Sequence, residues 1–343
     1  MTLPPLPSQP PGTPWPTADW PAGPLPARVD PDRLAARIDQ AFAGPGDLGE
    51  TWALVIVQAG ALVLERYGPG RRADDTCRSW SMAKSIIHAL AGILVGEGRL
   101  DIHAPADVPE WRAHGDPRAA ITLDQLLRMS SGLAFTEAYV PGAPSDVIEM
   151  LFGAGQHDVA AFAAAFPLAY PPGSHFSYSS GTTNIVSRCL ARALGAQGPA
   201  FEAFMRERLF APIGMTSALP RFDDAGTFIG SSFCFATARD FARFGLLYLR
   251  DGQWDGRGLL PKGWVDYART PTFQQTDCVD GPYGAHWWLD LAGPGSFSAN
   301  GYEGQYIVIC PDRDLVIVRN GVTAEANQPL VQTWLADLAG LFA

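Results

Sequence analysis

The chain has 343 residues, of which 47% are hydrophobic and 17% are charged, and its formal net charge is −10 at pH 7. These proportions are typical of a globular protein that buries a large core in one or two domains. The acidic balance argues against nucleic acid and anionic membranes as partners, and no apolar run reaches the roughly 18 residues that would span a bilayer.

The N-terminus and the cysteines predict the compartment. The N-terminus lacks the positive and apolar regions of a secretory signal. The five cysteines are scattered, odd in number and without Cys-x-x-Cys spacing, which is typical of reduced thiols. We therefore expect a cytoplasmic protein.

The chain begins with a proline-rich segment. Residues 1–31 hold eleven prolines, which disfavour helix and central strand and predict an extended arm or a disordered tail. The apolar side chains of Trp15 and Trp20 favour the arm, with part of it lying on the globule.

The next segment predicts a helix and then a β-hairpin. Residues 30–32 (Asp-Pro-Asp) combine an N-cap, a proline at the first helical position and an acid near the positive end of the dipole. This pattern indicates a helix that ends near Ala43. Residues 51–58 and 61–66 are strand-like and flank a two-residue turn, so they predict a hairpin.

Residues 80–98 predict an apolar helix with a polar first turn. Apolar residues recur at helical spacing and two glycines end the pattern. Ser81 and Lys84 lie three residues apart, so on a helix they point to the same side. A hydroxyl beside an amine is a nucleophile beside a candidate base. The alternative is a helix-terminal serine and a surface cation.

The use of lysine supports the chemical interpretation of this turn. The chain holds 25 Lys plus Arg, of which only Lys84 and Lys262 are lysines. Arg stays protonated in proteins, whereas a desolvated Lys can lose its proton. A base near neutrality needs a pKa of roughly 7–8, about 3 units below that of an ordinary lysine. Burial at an apolar helix start is one way to supply that shift.

The remaining elements follow from apolar periodicity and from turn residues. We predict helices at 122–129, 157–166, 182–195, 199–210, 237–250, 261–269 and 327–341. We predict strands at 284–290, 295–300, 304–310 and 314–320, the last two as a hairpin. Residues 133–146 are predicted to be a loop.

This order of elements predicts an α/β (α+β) fold. Strands lie near both ends of the chain and helices lie between them. The predicted organisation is an arm at 1–30, an α/β domain made from 31–100 and 236–343, and an inserted, mostly helical domain at 101–235. The cleft between the last two is the expected active site.

Several catalytic and metal motifs are absent from the sequence. There is no Gly-x-Ser-x-Gly, His-Glu-x-x-His or P-loop, and we expect neither a cofactor nor a metal. Of the six dispersed histidines, His88 is expected in the core, whereas His175 and His286 are candidates to border a cleft. Without a clear histidine partner, Lys84 is the best base candidate for Ser81.

Three motifs in the same order resemble those of the serine β-lactamase/penicillin-binding-protein superfamily. Residues 80–85 (Trp-Ser-Met-Ala-Lys-Ser) resemble its Ser-x-x-Lys motif. Residues 178–180 (Tyr-Ser-Ser) resemble Tyr-x-Asn, with Ser180 in place of Asn. Residues 299–305 (Ala-Asn-Gly-Tyr-Glu-Gly-Gln) resemble the Lys/His-Thr-Gly strand, with Ala and Asn in its first two positions.

The resemblance covers roughly residues 50–320 and includes the segment 126–133. It is nearest to the class C-like hydrolase branch, which includes family VIII esterases, D-aminopeptidases and 6-aminohexanoate-dimer hydrolase. It implies a β-lactamase/transpeptidase-like fold, with an antiparallel sheet flanked by helices and an inserted helical domain.

The resemblance also implies roles for individual residues. Ser81 is expected to be the acylated nucleophile, with Lys84 and Tyr178 as general base and proton relay. The oxyanion hole is expected to be the backbone N–H groups of Ser81 and Tyr302. The expected substrate contacts are Tyr139, Gly301, Gln305 and His286.

One departure from the family pattern bears on the substrate. The third-motif cation helps to hold the carboxylate of β-lactam substrates, and Ala299 cannot do so. The leading hypothesis is therefore a serine hydrolase that cleaves small amides or esters, of the 6-aminohexanoate-dimer-hydrolase type. The alternatives are a β-lactamase or D,D-peptidase/D-aminopeptidase, an acyl transferase, and a catalytically inactive penicillin-binding-like sensor domain. The expected partner is a small molecule, and a homodimer stays among the alternatives.

Overall fold

The structure, a computed structural model, describes residues 3–44, 46–139, 142, 145–273 and 281–343. The helices are α1 (Pro31–Phe42), α2 (Ala83–Gly96), α3 (Leu123–Leu127), α4 (Asp146–Phe152), α5 (Val159–Ala164), α6 (Ser180–Leu194), α7 (Pro199–Met205), α8 (Ala238–Leu249), α9 (Trp264–Ala268) and α10 (Gln328–Gly340). The strands are β1 (Glu50–Gln58), β2 (Ala61–Tyr67), β3 (Thr76–Arg78), β4 (Leu219–Pro220), β5 (Cys234–Thr237), β6 (Gln253–Trp254), β7 (Arg257–Gly258), β8 (Trp288–Leu289), β9 (Phe297–Gly301), β10 (Gln305–Cys310) and β11 (Leu315–Val322).

Six of the described strands form one antiparallel sheet in the order β2-β1-β11-β10-β9-β8. Both hairpins predicted from the sequence are present in it, β1–β2 and β10–β11. In the first hairpin, Ala59 and Gly60 both have positive φ, at 51° and 75°, as the tight turns that match the strand twist require. The sheet and its helices confirm the predicted mixed α/β class.

The two faces of the sheet pack against different helices. Leu54 and Ile56 of β1 join the apolar cluster that contains buried residues of α1 and α10. Val55 and Val57 point the other way and join the cluster that contains α2 and α8. Because successive side chains of a strand alternate between faces, a strand covered on both sides is continuously apolar. This explains why β1 does not show the alternation of a half-exposed strand.

Helix α2 runs through the larger core. Its residues from Ala83 to Leu94 are all buried. Close packing continues to its far end, where a Cβ on Gly92 would lie 2.3 Å from Trp264 Nε1. The helix therefore holds the short turn at its N-terminus, which contains Ser81, in a fixed position.

The proline-rich segment lies along the globule. Trp15 packs on Trp254 with ring centroids 5.0 Å apart, and Trp254 Nε1 donates a hydrogen bond of 2.8 Å to Thr17 Oγ1. The guanidinium of Arg243 donates to the Pro16 carbonyl oxygen at 2.6 Å. Proline-rich chain has unpaired carbonyl groups, and these side chains satisfy some of them.

Some predicted elements are shorter in the structure. The helix predicted at 261–269 begins only at Trp264, because Gly263 has a left-handed φ of 81°. The strand predicted at 284–290 is reduced to β8, because His286 has a φ of 57°, which no regular strand contains.

The sequence did not predict every element, and two of the missed ones are a helix and a small sheet. Helix α4 begins at the end of the expected loop, where the Ser145 side chain accepts a hydrogen bond from the Ile148 N–H. A small sheet, β3-β5-β4, lies beside the Ser81 turn.

The domain boundaries at 101 and 235 stay a prediction. Among the described residues, no helix is long and apolar enough to cross a membrane.

Candidate active site

Ser81 lies in a single 3₁₀ turn, Trp80–Met82, that leads directly into α2. Lys84 is in the first turn of the helix, and its Nζ donates a hydrogen bond of 2.9 Å to Ser81 Oγ. The structure therefore brings together the two residues that the sequence placed on one side of a helix.

Lys84 is 1% exposed. Besides Ser81, its ammonium nitrogen lies 3.0 Å from Ser180 Oγ and 3.0 Å from the Ser231 carbonyl oxygen. Burial lowers the pKa of Lys84 to about 8, against the opposing effect of the negative charge of Glu137. Because a base must be partly unprotonated at working pH, this environment suits Lys84 for proton transfer.

Tyr178 lies next to the lysine. Lys84 Nζ is 4.7 Å from the centroid of the Tyr178 ring, and the ring packs 5.3 Å from that of Trp288. The next residue, Ser179, caps α6 by accepting a hydrogen bond from the Thr182 N–H. The cap fixes where the helix starts and so places Tyr178 at the edge of the site.

A glutamate that the sequence reasoning missed joins this group. Glu137 Oε1 accepts a hydrogen bond of 2.6 Å from Ser180 Oγ, and Oε2 accepts one of 2.8 Å from the Ser180 N–H. The Tyr139 hydroxyl also donates to Oε1, at 2.5 Å, and burial raises the pKa of Tyr139 well above its ordinary value. The sequence carried no direct signal for Glu137, and only the replacement of the motif asparagine by Ser180 marked this position as unusual.

The two expected oxyanion donors meet at one cavity. Tyr302 follows the last residue of β9, and both Tyr302 and Ser81 line the cavity. A Cβ on Gly301 would lie 2.3 Å from the Ser79 carbonyl oxygen, so only glycine lets β9 approach the Ser81 turn this closely.

A side-chain contact joins the segments that carry these two donors. Trp80 Nε1 donates a hydrogen bond of 2.9 Å to Glu303 Oε2. Both residues have left-handed backbones, with φ of 44° and 62°. Such conformations are costly for residues other than glycine, and their clustering at a site indicates a functional constraint.

The cavity has a volume of about 280 Å³, and five of its twelve lining residues are aromatic. It is lined by Ser81, Tyr139, Tyr178, Trp288, Asn300, Gly301, Tyr302, Tyr306, Glu325, Gln328, Pro329 and Gln332. Among the described residues, Glu325 is the one charged side chain of this lining. Trp288, Tyr306 and the residues from Glu325 onward were not predicted, because they lie in segments without a motif.

The structure places His286 away from the cavity and gives no support to its predicted substrate contact. The ring is buried, with Nδ1 2.6 Å from the Leu127 carbonyl oxygen and Nε2 3.0 Å from Thr183 Oγ1. A carbonyl only accepts, so Nδ1 carries the proton and Nε2 accepts from threonine. Burial lowers the pKa of His286 to about 3. The neutral ring joins α3 to α6 and does not line the cavity.

Gln305 also lies outside the lining of the cavity. It is 1% exposed, its Nε2 donates to the Gly321 carbonyl oxygen at 2.6 Å, and its Oε1 accepts from Asn320 Nδ2 and the Gly321 N–H, both at 3.2 Å. These bonds tie β10 to β11. The predicted substrate contact is thus a buried sheet residue, whereas the predicted contacts Tyr139 and Gly301 do line the cavity.

Comparisons with known proteins show the family of the chain. A family model described as Beta-lactamase matches residues 38–337. The chain is 27% identical over 305 residues to the 6-aminohexanoate-dimer hydrolase of Paenarthrobacter ureafaciens. The alignment covers 78% of this chain and 72% of that protein.

Solved structures show the same fold. A candidate 6-aminohexanoate-dimer hydrolase from Bacillus anthracis superposes with a TM-score of 0.75 and 23% identity, covering 94% of this chain and 87% of that one. A family VIII carboxylesterase superposes with a TM-score of 0.68 and 15% identity, covering 92% and 99%. These findings confirm the predicted superfamily and fold.

Proposed function

Because the chain belongs to the beta-lactamase family and is a serine hydrolase, we propose that it cleaves small amides or esters through an acyl-enzyme on Ser81. The observation that carries this proposal is the contact of Lys84 Nζ with Ser81 Oγ at 2.9 Å. A buried lysine with a lowered pKa beside a hydroxyl at the floor of a cavity is a nucleophile paired with its base.

The proposed reaction has two steps, acylation of Ser81 and hydrolysis of the acyl-enzyme. Ser81 Oγ bonds to the substrate carbonyl carbon as its proton passes to Lys84 Nζ, and the new oxyanion lies between the N–H groups of Ser81 and Tyr302. The bond to the leaving group then breaks as Tyr178 donates its hydroxyl proton to the departing nitrogen or oxygen and takes the proton of Lys84 in its place. Water attacks the acyl-enzyme by the reverse proton route and releases the acid and free Ser81.

The nucleophile is tested by labelling with a fluorophosphonate, which bonds to an activated serine oxygen. We expect one adduct per chain by intact-mass spectrometry, and peptide mapping should place it on Ser81. An adduct on another residue would reject Ser81. Failure to label the folded protein, together with no turnover of p-nitrophenyl butyrate, would favour the inactive sensor domain.

The charge of the cavity narrows the substrate class. Its lining has one acidic side chain, Glu325, together with the π faces of four tyrosines and a tryptophan. Both carboxylates and aromatic faces attract cations. We propose that the substrate carries a protonated amine away from the scissile bond, as in short ω-amino-acid amides. The similarity to 6-aminohexanoate-dimer hydrolase supports the same class.

Reversing the charge of Glu325 tests this substrate class. Wild type should hydrolyse 6-aminohexanoyl p-nitroanilide with a higher kcat/KM than hexanoyl p-nitroanilide. Glu325→Lys should lower the ratio of the first kcat/KM to the second roughly tenfold, because the screened attraction between Glu325 and the substrate amine becomes a repulsion of similar size. Glu207→Lys makes the same charge change at an exposed residue outside the cavity and should leave the ratio as it is. A wild-type ratio near one would contradict the proposed class.

The alternatives have less support from the cavity. Ala299 is buried in β9 and supplies no cation for the carboxylate of a β-lactam or a D,D-peptide. Acyl transfer would use the same acyl-enzyme with an amine or alcohol in place of water. Hydrolysis is preferred, because the named hydrolases among the relatives share this arrangement of the fold.

We also propose that the protein works in the cytoplasm. Cys77, Cys189, Cys234 and Cys310 are buried and free of disulfide bonds, whereas Cys278 lies outside the described residues. Burial raises the pKa of the Cys77 thiol to about 11, so it stays protonated and unreactive. Free thiols of this kind fit a reducing compartment.

A further inference from the structure

We propose that Glu137 is a positioning residue that acts through Ser180 to fix which part of the Lys84 amine faces Ser81. The proposal rests on the role given above to Lys84 as the base. It starts from the three oxygen atoms around Lys84 Nζ, which are Ser81 Oγ at 2.9 Å, Ser180 Oγ at 3.0 Å and the Ser231 carbonyl oxygen at 3.0 Å.

The chemistry of the partners fixes the direction of two of these bonds. The Ser231 carbonyl oxygen can only accept. Ser180 has one hydroxyl proton, and its Oγ lies 2.6 Å from Glu137 Oε1, an ionised oxygen that also only accepts. The Ser180 proton is therefore directed to Glu137, and Ser180 Oγ is left to accept from Lys84.

The consequence concerns the neutral amine. An unprotonated lysine has two N–H bonds and one lone pair. The two N–H bonds are directed to Ser180 and Ser231, so the lone pair is directed to the Ser81 hydroxyl. When the Ser81 O–H bond breaks, the proton joins Lys84 Nζ, and the resulting ammonium donates to all three oxygens without rotating. Glu137 thus holds the base in its reactive orientation from two hydrogen bonds away.

The carboxylate is itself held on both oxygens. Oε2 accepts from the Ser180 N–H at 2.8 Å, and Oε1 accepts from the Tyr139 hydroxyl at 2.5 Å as well as from Ser180 Oγ. These bonds prevent the carboxylate from turning away, as connected polar networks do. Tyr139 also stacks on Tyr302 with ring centroids 5.0 Å apart, so the network extends to the cavity wall.

Among the described residues, one carboxylate acts on the charge of Lys84. Glu137 is the carboxylate whose negative charge raises the pKa of Lys84, in opposition to burial. The ring of Tyr178 lies 4.7 Å from Nζ. His286 is the other titratable group that interacts with the Lys84 charge, and with a pKa of about 3 it is neutral near pH 7. Removing the charge of Glu137 should therefore lower the pKa of Lys84.

The test is Glu137→Gln, which keeps the shape and removes the charge. In this variant the amide oxygen at position 137 accepts the hydrogen bond from the Ser180 N–H, so the amide NH₂ group faces Ser180 Oγ. The NH₂ group donates to Ser180 Oγ, and the Ser180 hydroxyl proton is then directed toward the lone pair of Lys84. We expect kcat to fall roughly 10²-fold with little change in KM. The acid limb of the plot of kcat against pH should move to lower pH. Glu149→Gln, the same change at an exposed residue of α4, should alter neither.

A second variant keeps the test decisive if Glu137→Gln folds poorly. Ser180→Ala removes the acceptor and should also lower kcat. Residues that act as a unit are not additive, so the double variant should lose no more than the worse single variant. An unmoved acid limb in a folded Glu137→Gln protein, or losses that multiply, would overturn the inference. If wild type itself fails to label on Ser81, the proposed function fails instead.

Discussion

Ser81→Ala is expected to lower kcat for p-nitrophenyl butyrate by roughly 10⁴- to 10⁶-fold. An acyl-enzyme mechanism has no substitute for the nucleophile, and serine hydrolases lose rate on this scale when it is removed. The variant should still fold, because Ser81 lies at the edge of the cavity and Lys84 keeps its contacts with Ser180 and Ser231. Substrate should still bind, so KM or an inhibition constant should change little.

The control is Ser174→Ala, which removes an exposed serine in the loop before Tyr178. It should keep full activity. A burst of p-nitrophenol equal to one product per chain, seen in wild type and absent from Ser81→Ala, would show that the acyl-enzyme accumulates. If folded Ser81→Ala keeps a tenth or more of the activity, the hydrolysis has another nucleophile.

The secondary structure was largely predictable because its signals are local. Both hairpins of the large sheet were evident from apolar runs and turn residues, and α1 begins at the predicted cap, Asp30. Helix α3 lies within the segment predicted at 122–129, and a capping box of Thr122 and Gln125 fixes its start. The shortened elements differ where one backbone conformation, such as the positive φ of His286, overrides a pattern of residue types.

The residues of the candidate site were likewise predictable where their relation is local and not where it depends on long-range packing. Ser81 and Lys84 were predictable because three residues on a helix fix their relation. Glu137 was not, because its contact with Ser180 joins residues 43 apart in the chain through an irregular loop. Gln305 was predicted beside the cavity from its motif, whereas tertiary packing turns its side chain into the sheet. Their roles in catalysis stay predictions until the variants are measured.

Lys84→Met is expected to lower kcat by roughly 10³-fold, the contribution of a well-placed general base. Methionine keeps an unbranched side chain as far as Cε and removes the nitrogen. Lys84→Arg is the matched control for charge, because arginine restores the cation and does not lose its proton near neutrality. Both variants should be inactive if the neutral amine is the working form. An active arginine variant would show that the charge, and not proton transfer, matters.

The pH dependence gives an independent test of the same residue. With a pKa of about 8, Lys84 is mostly protonated at pH 7, so wild-type kcat/KM should rise as pH increases toward 8 and level off above it. The unfolded chain holds this proton more tightly, because the ordinary lysine pKa is higher. Burying the charged form therefore opposes folding below pH 8, and this penalty disappears between pH 8 and about 10.5.

Lys84→Met lacks that penalty at every pH. The free energy of unfolding of wild type, measured relative to Lys84→Met, should therefore rise across this interval by up to about 3 kcal/mol. Urea titrations at pH 7, 8.5 and 10 would measure it. A flat difference would mean that Lys84 is not the buried, proton-releasing group on which the proposed mechanism depends. A rise in stability that begins near the pH at which kcat/KM levels off would assign both to one amine.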